Sequence, residues 1–89
     1  MQRRRVIVHG RVQGVGFRWS TQDEATRRGI SGWVANRDDG SVQVEIEGDE
    51  AAVDGMLDWL RHGPRAARVS GVDVTVQDPR GDAGFDVRR

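Results

Sequence analysis

The run Ser41 to Glu47, written SVQVEIE, constrains the fold more than any other stretch of this chain. Val42, Val44 and Ile46 fall on one face, and Gln43, Glu45 and Glu47 on the other. A strict period of two reads as a half-buried strand, because a helix would scatter those apolar positions around its circumference. Asp38-Asp39-Gly40, just ahead of it, supplies turn residues, with a glycine suited to positive φ. Ile30 to Arg37, ISGWVANR, then forms the first arm of a short hairpin.

The rest of the chain arranges itself around that hairpin. Val6-Ile7-Val8 reads as a short buried strand ending at Gly10. From about Phe17 to Arg28 the residues favour helix, with Gly29 as the stop, but the apolar stripe is thin: Phe17, Trp19 and Ala25. Asp49 caps a second helix, where Val53, Met56, Leu57 and Leu60 recur at helical spacing before Gly63-Pro64 ends it. Val72, Val74 and Val76 alternate as a fourth strand. Phe85 and Val87 suggest a short fifth one after the Asp78-Pro79-Arg80-Gly81 turn. The order predicts an α+β fold, a ferredoxin-like βαββαβ sandwich with two helices packed on one face of an antiparallel sheet. At 89 residues the expectation is one domain, 1–89, with one modest core.

Much chemistry is excluded. There is no cysteine, which removes disulfides and thiolate metal sites. No stretch has the length of a signal peptide or membrane span, so a soluble cytoplasmic monomer with no membrane partner is expected. The formal net charge is zero, and all 14 basic residues are arginine. Position, not number, must therefore mark a functional arginine. A nucleic-acid partner would call for a net basic surface, which this chain lacks. Arg3-Arg4-Arg5 is the one basic cluster, and it reads as the solvated start of a strand. His9 and His62 stand far apart in no metal-ligand spacing, so no metal site is expected, and no serine sits in a nucleophile elbow. Gly14-Val15-Gly16 begins a dinucleotide fingerprint, but Trp19 occupies the third glycine position, and no Gly-Lys-Ser/Thr follows.

What remains is Gly10 to Arg18, GRVQGVGFR. By themselves the glycines fit a flexible connection between a strand and a helix. Their placement adds something, since the first N–H groups of a helix have no internal partner. Successive free N–H groups form a concave nest for an anion, and the helix dipole favours negative charge there. Arg18 at the helix start runs against the dipole preference for acidic residues. An anion between the arginine and the N–H groups accounts for it, since guanidinium grips two oxygens at once. The implied ligand is a small phosphate or carboxylate.

GRVQGVGFR followed by GWVANRDDGSVQVEIEG resembles the acylphosphatase family in both motifs and in their spacing. The likeness runs from the first strand to about Gly63-Pro64, and the final third agrees in pattern more than in residues. It implies a small ferredoxin-like enzyme that hydrolyses the carboxyl–phosphate anhydride of small acyl phosphates, with no metal and no cofactor. By the same resemblance, the backbone of Gln13, Gly14, Val15, Gly16, Phe17 and Arg18 cradles the phosphate. Arg18 binds it and Asn36 orients the attacking water. Without the resemblance, Asn36 would be read as a residue ending a strand before a turn. Three positions depart from the family pattern: Ser20, where an aromatic residue is frequent, Arg28, where leucine is frequent, and Arg65, where a second proline is common.

Other readings use the same fold. RNA-binding sheets of this type present aromatics on central strands, whereas this strand offers Gln43, Glu45 and Glu47, expected to repel phosphate. A phosphate-binding domain of a larger carbamoyl-transfer protein would need zinc-binding and catalytic domains beyond these residues. A phosphate sensor that keeps the site without turnover stays open at this stage. Arg11 receives no role.

Overall fold

A computed structural model describes residues 1–89. In chain order the elements are β1 (Gln2–Arg11), α1 (Phe17–Arg27), β2 (Ser31–Asn36), β3 (Val42–Gly48), α2 (Glu50–Leu60), β4 (Arg68–Gln77) and β5 (Phe85–Arg88). The alternating run that opened the reading is β3, the middle of a sheet ordered β4-β1-β3-β2-β5. β1 pairs antiparallel with β3 and β4, and β2 antiparallel with β3. The fifth strand forms, but it runs parallel to β2, so the sheet is mixed where an antiparallel one was expected. The reason is topological. β4 and β5 occupy opposite edges, and a chain crossing straight from one edge to the other arrives pointing with β2.

Alternation builds the core as anticipated. Val6, Val8, Val34, Val42, Val44 and Ile46 are fully buried on the face that carries both helices. α1 packs over β2 and β5, and α2 over β1 and β3. Val53, Met56 and Leu60 are the buried stripe of α2, whose first turn is capped by Asp49 accepting from the Ala52 N–H at 2.8 Å. In α1 the buried positions are Phe17, Thr21, Glu24 and Ala25. Trp19, expected in that stripe, points away from the core and is 63% exposed. Arg28, where the family favours leucine, lays its guanidinium over Gly55 of α2, within 2.3 Å of where a Cβ would stand. β4 is an edge strand: Val69 and Val72 pack against the core, but Val74 and Val76 stay exposed despite their alternation.

The opposite face of the sheet corrects two expectations. Arg3, read as part of a solvated cluster, is completely buried, and Glu45 and Glu47 are buried with it. Arg3 Nε donates to Glu45 at 3.2 Å, and its Nη1 donates to Glu47 at 3.1 Å and to Asp82 at 2.9 Å. Arg5 closes the set by donating to the other Glu45 oxygen at 2.8 Å. The cover is the crossing segment 78–84, whose Arg80 and Gly81 N–H groups donate to the two Glu47 oxygens at 2.7 and 2.8 Å. These bonds, the Arg80 N–H first, hold the Glu47 carboxyl below the usual carboxylate range against the opposing effect of burial. Burial alone would weaken the proton affinity of Arg3, but Asp82 and Glu47 outweigh it and keep the guanidinium charged. The acidic stripe is therefore an ion network that fastens the strap to the sheet, not a free negative surface. No helix is long and apolar enough to cross a membrane.

Candidate active site

β1 ends at Arg11, and the chain turns through residues 12–16 into α1. Gly14 and Gly16 both adopt φ of 74°, a left-handed conformation that L side chains resist. Gly16 is the N-cap of α1, so no side chain satisfies the first-turn donors, and no acidic residue sits in that turn. Among the intrachain hydrogen bonds, none has a backbone N–H from residues 13–19 as donor; the first is Ser20 N–H to the Gly16 carbonyl at 3.0 Å. A row of free donors thus lies at the positive end of a helix dipole.

One cavity of ≈ 200 Å³ collects these groups. It is lined by Gly14, Gly16, Phe17, Arg18 and Asn36, together with Val12 and Trp19. Asn36 reaches it as the last residue of β2, and its side-chain amide makes no intrachain hydrogen bond. Gln13 and Val15, assigned for their backbone, are not among the residues lining the cavity. Val15 packs against the core, and the side chain of Gln13 turns away from the cavity toward the hairpin. There its amide donates to the carbonyls of Arg37 at 2.7 Å and Ser41 at 2.9 Å. Sequence reading assigned Gln13 for its backbone alone and missed this clamp, which ties the glycine loop to the strand end that carries Asn36.

Two further restraints were also invisible in sequence. Arg18 Nη1 donates to the carbonyl of Arg88 at 2.9 Å, and Gln22 donates to that of Phe85 at 2.9 Å. Side chains of α1 thereby hold β5, and β5 in return steadies the guanidinium of Arg18. The hairpin turn is set by Asp39, which accepts from the Ser41 N–H at 2.9 Å and from its hydroxyl. Those bonds, the hydroxyl first, lower its carboxyl below the ordinary range. His9 lies 2.9 Å from Asp73 across the β1–β4 pair, and no group of three or more His, Asp or Glu is placed to hold a metal ion.

Free N–H donors, one arginine and one unengaged amide line a small cavity on a ferredoxin-like sheet. Comparison with known proteins shows the family. The Acylphosphatase family model matches residues 4–87. The acylphosphatase of Anaeromyxobacter dehalogenans is 53% identical over 87 residues, covering 97% of this chain and 94% of that protein. That of Pseudomonas paraeruginosa is 57% identical over 82 residues, covering 92% and 90%. The crystal structure of acylphosphatase from Bacillus subtilis superposes with a TM-score of 0.96 at 40% identity, covering 100% of both chains. The chain belongs to the acylphosphatase family, and with it to the hydrolases.

Proposed function

We propose that the chain hydrolyses the carboxyl–phosphate bond of small acyl phosphates by direct attack of water, with Arg18 and Asn36 as catalytic residues. The observation that carries this reading is the single cavity in which Gly14, Gly16, Arg18 and Asn36 meet at the uncapped start of α1. The phosphoryl oxygens accept from the N–H groups of residues 13–18, and Arg18 closes on them. Asn36 accepts a hydrogen bond from water through its carbonyl oxygen and presents that water to phosphorus.

The chemistry needs little more. Water oxygen bonds to phosphorus while the bond from phosphorus to the carboxyl oxygen breaks, and the electron pair leaves with the carboxylate. That leaving group has a conjugate-acid pKa of about 4, so it departs without a proton. The proton lost by water ends on the phosphate product. Phosphoryl transfer is governed by positioning and charge stabilisation, which a fixed guanidinium and a row of N–H dipoles supply without a metal ion. The same reading takes residues 1–89 as one domain, working as a cytoplasmic monomer on diffusible substrates.

Phosphate release from acetyl phosphate and benzoyl phosphate, with and without chelator, tests it. Chelator-insensitive turnover that nearly vanishes in Arg18→Gln and Asn36→Ala is the expected result. Undiminished turnover in either variant removes that residue from the assignment. Absence of turnover in the wild type, with inorganic phosphate still protecting the fold from heat, would make this a phosphate-binding protein instead.

A further inference from the structure

Beside the cavity at the glycine loop lies a second, larger one of ≈ 560 Å³, lined by Arg18, Trp19, Asn36, Val87, Arg88 and Arg89. Arg18, Trp19 and Asn36 belong to both. Trp19 is otherwise unexplained by the fold: it is 63% exposed, on a helix whose core-facing residues are Phe17, Thr21, Glu24 and Ala25. An isolated exposed apolar residue needs no account. This one directly follows Arg18 and lines both cavities.

From this geometry we infer that Trp19, with Val87, forms the subsite for the acyl half of the substrate, and selects flat, apolar acyl groups of benzoyl size over acetyl. The inference rests on the acyl phosphate reading above. With the phosphoryl group against the N–H donors of the inner cavity, the acyl group leaves through the shared boundary and enters the outer one. An indole offers a wide, rigid face there at low entropic cost, and Val87 adds aliphatic surface from β5. Acetyl is too small to reach across that face; benzoyl covers it. Contact remote from phosphorus is made equally before and during reaction, so it acts mainly on KM.

Steady-state kinetics of wild type, Trp19→Ala and Trp19→Phe on both substrates, with inorganic phosphate as inhibitor, tests the assignment. An aromatic contact plus its buried area is worth roughly a factor of ten, so kcat/KM for benzoyl phosphate should fall about tenfold in Trp19→Ala, chiefly through KM. For acetyl phosphate the loss should be about twofold or less, and Trp19→Phe should recover most of the benzoyl preference. The inhibition constant of inorganic phosphate, which fills the inner cavity alone, should move less than about twofold. Equal losses on both substrates overturn the subsite while leaving hydrolysis in place. A wild type that turns over neither substrate overturns the hydrolytic reading, and the subsite with it.

Discussion

The side-chain amide of Gln13 lies 2.7 Å from the main-chain carbonyl of Arg37, one residue beyond Asn36. This bond, and its companion to the Ser41 carbonyl, joins the glycine loop to the hairpin across 24 and 28 residues of sequence. It sets the spacing between the glycine loop, proposed to bind phosphate, and the residue proposed to hold water. Gln13→Ala should therefore lower kcat by about tenfold or more, because small misplacements at a transfer site are costly. Gln13→Glu should do worse, since a carboxylate cannot donate to two carbonyls and places negative charge beside the anion. Single-turnover phosphate release separates this loss from any change in product release.

Arg18 is restrained by the Arg88 carbonyl at 2.9 Å, which leaves the rest of its planar fork for the cavity. Lysine keeps the charge but lacks the rigid planar fork that can face β5 and two phosphoryl oxygens in one fixed geometry. Arg18→Lys should cost roughly 10²–10³ in kcat/KM, close to the loss in Arg18→Gln. Near-wild-type activity in the lysine variant would show that charge alone suffices.

Glu47 should give the fold an acid-sensitive component. Its carboxyl is held below the usual range by the Arg80 N–H first, then by Gly81 and Arg3. A depressed folded value adds stability above the unfolded carboxylate pKa of about 4.3, and that stability is lost as pH falls through the folded value. Urea unfolding at pH 7 should show Glu47→Gln to be destabilised by about 3 kcal/mol, because Arg3 is left buried with fewer anionic partners. At pH 3 the gap between variant and wild type should narrow. A gap that is constant with pH would mean that Glu47 contributes by shape alone.

Gly32 and Gly29 offer a contrast in what glycine is for. At Gly32, with φ of 136°, a Cβ would stand 1.9 Å from the Glu45 carbonyl oxygen; at Gly29, with φ of 70°, it would meet nothing within 4 Å. Gly29→Ala should cost about 1–2 kcal/mol, the strain of a left-handed alanine. Gly32→Ala must also displace the neighbouring strand, and should cost about 4 kcal/mol or more, or abolish folding. Thermal unfolding followed by circular dichroism compares the two directly.

Several features were legible because they are local. The alternation in β3, the Asp49 cap, the stripe of α2 and the glycine stop after α1 each depend on neighbours within a few residues. The loop 13–18 and Asn36 were singled out because short motifs that resemble a known family carry them. Trp19 was misassigned to the core: with so few apolar residues in α1, periodicity has little to count, and the helix buries Thr21 and Glu24 instead. Arg3, Glu45 and Glu47 were misread for a different reason. Alternation shows that two faces differ, but whether the polar face meets water or another part of the chain depends on what crosses it.

By itself, then, the sequence determined the order and kind of the elements, the hairpin turn and the short motifs that would bear on phosphate. Each of these rests on side-chain periodicity or on backbone preferences that act over a few bonds. Only the tertiary structure decided that segment 78–84 straps the sheet through Arg3 and Glu47, that β5 runs parallel to β2, and that Gln13 and the Arg88 carbonyl steady the cavity. Those contacts join residues about 24 to 79 positions apart, and their donors and acceptors are common types that reveal a partner only when the chain brings them within 3 Å.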